Sequence, residues 1–301
     1  MIGAGRVGLA LAVFLDRLGV EVTVGVRSDH GRKRAEAQGL PAASPLDAAK
    51  GATLVLLSIL DDELPSLVTA LAAEGVFREG QSVIHTAGVD GPELLAPAKA
   101  AGARVAVCHP VQIFNDDLEG TIARIPGTVW SVTGDPVGRE LALALGGRPM
   151  DVPESARVRY HAALVLAANG CAALAATAAD MLKAGGVIDP GGLIGGLVHA
   201  SIDAALQTGQ AGLSGPWVRG DGRTIAMHLE SIARKQRVAT VYTALARLVV
   251  DRAANAGRLD AEARRRVEAA LHGGDGEASR EHERLELLRR VARRARGRDQ
   301  R

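Results

Sequence analysis

Gly3-Ala4-Gly5-Arg6-Val7-Gly8 stands at the start of the chain, and its reading decides the fold. The run opens an amphipathic stretch, Gly5 to Leu18, which is followed by a β-branched stretch, Val20 to Val26. A G-x-G-x-x-G pattern in that setting is the turn and helix start that cradles a dinucleotide. Gly3 permits the tight turn, Gly5 lets backbone approach a pyrophosphate, and Gly8 brings helix and sheet close. The amides of Arg6 and Val7, with the helix dipole behind them, then face the phosphates.

The end of the second strand selects the nucleotide. A carboxylate there accepts from a ribose 2′-hydroxyl, whereas cations and hydroxyls suit a 2′-phosphate. Here the strand ends Val26-Arg27-Ser28, with Arg32, Lys33 and Arg34 soon after. Asp29 is expected to begin the next helix as its cap. NADP(H) is therefore the expected cofactor, held by Gly3, Gly5, Arg6, Val7, Gly8, Arg27, Ser28 and Ser58. One feature is unusual. Only Met1 and Ile2 precede Gly3, where the fold expects four or five residues of strand. Either translation starts further upstream or the first strand is a stub.

The first half continues as alternating β-branched and amphipathic runs, the mark of a parallel sheet wrapped by helices. Val20 to Val26, Thr53 to Ile59, Ser82 to Thr86 and Ala103 to Cys108 read as strands; Gly5 to Leu18, Asp61 to Ala73 and Gly91 to Ala101 read as helices. Thr128 to Thr133, Val137 to Leu145 and Pro149 to Val152 extend the unit. After Pro153 the strand pattern gives way to helical periodicity as far as Leu271. The expected architecture is an α/β Rossmann-like parallel sheet over residues 1–152 and an all-α domain over 153–271. An Arg-rich tail over 272–301 reads as a surface helix or disordered segment.

At 301 residues, 47% hydrophobic and 23% charged, the chain has the make-up of a soluble globular protein. A net charge of +2 creates no strong field toward nucleic acid or an anionic membrane, and 2% aromatics leave little on which bases could stack. Leu9 to Leu15 is apolar, but Asp16 and Arg17 follow at once and no cleavage site does, so a cytoplasmic protein is expected. Cys108 and Cys171 read as buried thiols. Ala162 to Ala179 carries no charge and is near the lower limit for a membrane span; its Ala and Gly content favours a core helix packed against other helices, in a homodimer.

Polar residues interrupt the second half in two places. Arg157, Tyr160 and His161 lead to Asn169, with Arg157 and His161 four apart on one helix face. Further on, Ser214 to Thr224 precedes His228. If Asp221 caps the following helix, Thr224 and His228 point one way along it. The histidines show no metal-ligand spacing, so no metal is expected.

These motifs resemble one family, the oxidoreductases that join a Rossmann-like domain to the domain of unknown function 2520. The matching stretches are GAGRVG at Gly3 to Gly8, His85 in HTAG, His109-Pro110 with Phe114, YHAA at Tyr160 to Ala163, Asn169, and GPWVRGDGRT with His228. More distantly the layout is similar to ketopantoate reductase, pyrroline-5-carboxylate reductase and the 6-phosphogluconate dehydrogenase superfamily, which bind NADP(H) in the first domain and dimerise through the second. Many of those enzymes place a lysine four residues before the asparagine. Val165 stands at that position here, which makes His161 the nearest substitute for the proton donor, with His109 and His228 behind it.

The resemblance implies an NADPH-dependent reductase of a small carboxylate-bearing carbonyl compound, a ketopantoate-like 2-oxo acid being the best guess. Asn169 would orient the carbonyl, and a buried Arg219, beside Asp221 and Thr224, would pair with the carboxylate. Two alternatives remain: a cyclic-imine reductase of the pyrroline-5-carboxylate type, and a non-catalytic NADP(H)-binding regulator. Convergence of His161, Asn169 and Arg219 near the nicotinamide would separate enzyme from regulator.

Overall fold

A computed structural model describes residues 1–273. Helix α1 (Arg6–Arg17) follows the glycine turn and buries Leu9 to Val13. Strands β1 (Val24–Gly25) and β2 (Ala42–Ala43) pair in parallel, connected through α2 (Asp29–Glu36) and continued by α3 (Pro45–Ala49). Five further strands lie in the order β3-β4-β5-β6-β7: Leu54–Leu57, Ser82–His85, Arg104–Val111, Val129–Gly134 and Arg148–Asp151. The Val55-Leu56-Leu57 run and its neighbours in β4 and β5 are buried on both faces, as the strands of a covered parallel sheet must be. One apolar layer joins α1 to α6 (Leu118–Ala123) and α7 (Val137–Ala144). The other joins α4 (Leu64–Ala73) to α5 (Ala96–Ala100).

The strand that leads into the glycine turn is represented here by Ile2. Ile2 alone bridges Gly25 on one side and Leu57 on the other, in parallel with both. Its neighbourhood is nevertheless fully paired: Ile2 N donates to Leu56 O, Gly3 N to Gly25 O, Gly25 N to Met1 O and Ser58 N to Ile2 O, at 2.7–2.9 Å. The Met1 ammonium donates to Thr23 O at 2.9 Å, and its burial lowers its pKa to about 6.

Two expectations need correction. The sheet is not wholly parallel, because β5 and β6 run antiparallel. β6 starts opposite the end of β5, with Val129 facing Val111, so the connection through α6 returns the chain at the same end of the sheet and the strand runs the other way. Cys171 is only partly buried; Cys108 is fully buried, and desolvation pushes its thiol up to about 12. The uncharged segment, expected to pack in a core shared between subunits, is exposed in the single chain. It belongs to a continuous helical run, Glu154–Ala184, whose mean hydropathy reaches 1.8 and whose apolar window has 0% of its residues buried. By length and composition that run is also long enough to cross a membrane.

The strand pattern ends at β7, yet the first compact unit extends to Ala173 and a second begins at Leu174. The first unit therefore includes α8 (Arg157–Leu164) and the π-helical turn Val165–Gly170. Arg157 explains why, since its buried guanidinium is bonded to the ends of β4 and β6. The second unit is helical: α9 (Cys171–Ala184) carries the chain into it, followed by α10 (Pro190–Thr208), α11 (Pro216–Arg219), α12 (Gly222–Ile232), α13 (Gln236–Asn255) and a helix over 261–273. Its core includes Ile225, Leu229, Ala246, Val250 and Val267. The Arg-rich tail falls on residues outside the described ones.

Candidate active site

The first unit holds a cleft of about 1000 Å³ along the carboxyl ends of its parallel strands, where open α/β sheets place ligands. Gly3, Gly5, Arg6, Val7 and Ser58 line it, while Gly8 backs the turn. Gly3 has φ +108°, and a Cβ there would lie 2.1 Å from Ser58 O; a Cβ on Gly8 would lie 2.2 Å from Gly3 O. Both positions are closed to side chains. Gly5 differs, since a Cβ on it would meet no atom within 4 Å and would project into open space. Helix α1 starts at Gly5 without a side-chain cap or an acidic first turn, so its leading amides are left for an anionic ligand. These observations fit a dinucleotide pyrophosphate.

β1 and β4 lie three strand spacings apart, ~14 Å, with Ile2 and β3 between them. Beyond β1 the cleft is lined by Arg27, Ser28, His30 and Arg34. Ser28, not Asp29, caps α2: its Oγ accepts from Gly31 N at 3.1 Å, leaving the hydroxyl hydrogen to donate. Asp29 is the first helical residue instead. Arg27 is ion-paired with Glu63, and Arg6 with Asp116 at 2.9 Å. Arg32 turns away to Ala42 O. Arg34, more than Arg32 or Lys33, is thus the second cation of this end.

Past β4 the cleft is lined by Thr86, Ala87, Gly88, His109 and His161, with Asp61 nearby. His85 is structural. It is fully buried, its Nδ1 accepts from Ala87 N at 3.2 Å, and its Nε2 therefore donates to Gly91 O at 3.1 Å. The turn that it holds brings Gly88 against two imidazoles. A Cβ on Gly88 would lie 2.3 Å from His161 Cδ2 and 3.1 Å from His109 Nε2. The two rings meet edge to face, with centroids 5.8 Å apart.

Behind His109 lies a polar cluster. Its Nδ1 is 2.8 Å from Tyr160 Oη. Arg157 is 1% exposed and donates to Thr133 Oγ1, Ala87 O and Gly88 O at 2.9–3.0 Å. Burial, then the charges of Arg157, His161 and His85, lower the pKa of His109 to about 4. Burial also raises the Tyr160 phenol and lowers Arg157. At neutral pH the pair is an uncharged imidazole beside an uncharged phenol.

A pH dependence follows. The unfolded chain binds a proton at His109 below pH 6.5 while the folded chain resists until about 4. The stabilisation is complete above pH 6.5 and is lost as pH falls toward 4, amounting to about 3 kcal/mol. Urea melts between about pH 7.5 and pH 4.5 should show this loss, and His109→Gln should flatten the curve in that window. An equal acid slope in the variant would locate the loss elsewhere.

The other expected site residues divide between the units. Asn169 is exposed on the π-helical turn and does not line the cleft of the first unit. In the second unit Asp221 caps α12, accepting from Thr224 N at 3.1 Å and Thr224 Oγ1 at 2.7 Å. His228 Nδ1 lies 2.8 Å from Tyr242 Oη. Arg219 is exposed, contrary to the expectation of a buried guanidinium, because it ends the one-turn helix α11 with its neighbour Val218 facing the core. Gly88 and the Tyr160 hydroxyl join the site only through the fold. Their signals were the HTAG and YHAA motifs, which show nothing of the partner across the fold.

Comparison with known proteins agrees with this architecture. Residues 1–110 match the Rossmann-like domain, and residues 128–249 match the domain of unknown function 2520. Among solved structures, protein TM1727 from Thermotoga maritima is 23% identical, with a TM-score of 0.62 over 84% of this chain and 97% of that one. A reductive aminase from Aspergillus terreus, in complex with NADPH and ethyl-5-oxohexanoate, is 21% identical, with a TM-score of 0.62 over 89% and 97%. An imine reductase from Myxococcus stipitatus, in complex with NADP+, is 18% identical, with a TM-score of 0.61 over 85% and 94%. With both domain matches in chain order on a glycine turn, a parallel-dominated sheet and a helical second half, this chain belongs to the family that joins a Rossmann-like domain to the domain of unknown function 2520.

Proposed function

We propose that the protein is an NADPH-dependent oxidoreductase that reduces the C=N or C=O group of a small molecule. The observation that carries this reading is a single cleft with an uncapped helix start and Arg27, Ser28 and Arg34 on one side, and two imidazoles packed on Gly88 on the other. NADPH, when bound, supplies the hydride. The chain's residues do the rest. The first-turn amides hold the pyrophosphate, Arg27, Ser28 and Arg34 hold the 2′-phosphate, and an imidazole at Gly88 supplies the proton. The proteins of this fold solved with NADPH or NADP+ support the same cofactor.

Of the two substrate classes, the imine is better supported than the 2-oxo acid. One of the three supports for a ketopantoate-like substrate is a buried Arg219, and Arg219 is exposed. Near His161 the cleft instead carries Asp61, whose pKa is raised by burial and then by Asp90. A carboxylate at that place repels an anionic 2-oxo acid but not a neutral imine, whose nitrogen takes its proton as hydride reaches the carbon. The test is NADPH oxidation by purified protein against a panel of cyclic imines and 2-oxo acids, ketopantoate among them. Turnover of the imines supports this reading, and turnover of the acids alone reverses the substrate class. Tight NADPH binding with no turnover of either would favour the regulator.

We also propose that a second copy of the chain covers the exposed apolar helices, giving a cytoplasmic homodimer. Leu166, Leu193, Leu197 and Leu206 are 61–80% exposed along one continuous stretch of chain, far more apolar surface than a monomer leaves in water. Light scattering at micromolar concentration is expected to report twice the chain mass without detergent. A monomeric mass, or recovery only from membranes, would reject the dimer.

A further inference from the structure

The imidazole beside Gly88 that delivers the proton is open between His109 and His161, and the buried cluster behind His109 distinguishes them. We infer that His109 is the proton donor of the cleft and that Tyr160 is its positioning and recharging residue, a two-residue relay running from the half-buried phenol through the imidazole to the substrate. The inference rests on the reductase reading above and extends it.

Geometry comes first. His109 sits on β5 with its Nε2 edge toward Gly88 and the cleft, and its Nδ1 edge 2.8 Å from Tyr160 Oη on α8. Tyr160 does not line the cleft, so it reaches the substrate only through His109. With both groups uncharged, one hydrogen joins Oη and Nδ1. A phenol is a far stronger acid than a neutral imidazole N–H, and an imidazole nitrogen is a far better base than a phenol oxygen. The hydrogen therefore belongs to Tyr160, which donates it to Nδ1. That bond selects the tautomer in which Nε2 carries the ring's only proton and presents it to the cleft.

Arg157 completes the device. Its guanidinium carbon lies 5.8 Å from the centre of the Tyr160 ring. Its two terminal nitrogens are bonded to Thr133, Ala87 and Gly88, while its buried Nε has no partner. As hydride reaches the substrate carbon, negative charge grows on the substrate oxygen or nitrogen. Nε2 gives that atom its proton, the N–H bond breaking as the new O–H or N–H bond forms. Nδ1 takes the phenol proton in the same motion, and the imidazole stays neutral throughout. The charge ends on the Tyr160 oxygen, beside the guanidinium that stabilises it, and one proton from water resets the pair. His161, without a buried partner of this kind, is left to shape the cleft against Gly88.

The test uses the full-length protein and the isosteric variant Tyr160→Phe. Long-range 1H–15N spectra of the histidine rings are expected to show His109 with its proton on Nε2 in the wild type and a shift toward a mixture in Tyr160→Phe. The kcat is expected to fall at least about tenfold, with NADPH affinity unchanged, and the alkaline decline of kcat caused by the phenol's ionisation should disappear. His109 bearing its proton on Nδ1 in the wild type overturns the inference. So does an unchanged tautomer in the variant, or a wild-type alkaline limb that survives it. A fluorescence titration with NADPH reads the reductase proposal separately: a protein that binds none sinks that proposal, while the tautomer measurement still decides the relay.

Discussion

His109→Gln is expected to lower kcat by about 100-fold or more while leaving NADPH affinity within about twofold of wild type. The size follows from removing a proton donor whose Nε2 edge meets Gly88 and whose Nδ1 edge is held at 2.8 Å by Tyr160. The residues proposed to hold the cofactor, Gly3, Gly5, Arg27 and Ser28, line the other end of the cleft, so binding has no reason to change. His161→Ala provides the contrast. His161 touches Gly88 and borders the cleft beside Asp61, and its removal should act mainly on KM. Steady-state rates with a saturating imine, read beside NADPH titrations, separate the two. If His161→Ala loses more kcat than His109→Gln, the roles of the two rings must be exchanged.

Arg27→Asp is expected to abolish, and in part reverse, a preference for NADPH over NADH of at least about tenfold, or ~1.4 kcal/mol. The substitution replaces the cation that faces a 2′-phosphate with the acid that accepts from a 2′-hydroxyl. Glu63 makes this prediction sharper. It is ion-paired with Arg27 across the cleft, with the two side chains 40% and 58% exposed, so a 2′-phosphate must compete with it. An exposed pair of this kind is worth at most about 1 kcal/mol, so Glu63→Gln should tighten NADPH binding by about two- to fivefold and leave NADH nearly unchanged. Fluorescence titration of both reduced cofactors against the three proteins checks both changes. Equal affinity of the wild type for the two cofactors, or an unchanged ratio in Arg27→Asp, would remove Arg27 from the clamp.

The two predictions draw on parts of the site that were unequally legible. The glycine-turn end of the cleft could be read in the sequence because its conformation is local. The turn at Gly3, the helix start at Gly5 and the strand end at Arg27 and Ser28 depend on short-range backbone conformation, which neighbouring residues dictate. Even there a short-range competition went unread: Ser28 caps α2 in place of Asp29, because its Oγ is the one aimed at Gly31 N. The imidazole end is assembled from β4, β5 and α8, with Gly88, His109 and Tyr160 drawn from three separate parts of the chain. Their residue types were visible in the sequence, but their mutual distances were not.

By itself the sequence determined the Rossmann-like α/β half, the helical character of the second half and the glycine turn that lines the cleft, since periodicity and turn glycines act over a few residues. Only the tertiary structure decided that β6 runs antiparallel to β5, that the unit boundary lies beyond α8, and that Arg219 and the uncharged helix are exposed in the single chain. Only it could show that His109 has a phenol behind it. Burial and hydrogen-bond partnership are properties of which distant segments meet, and an apolar or charged residue carries the same local signature whether it faces a core, a partner chain or water.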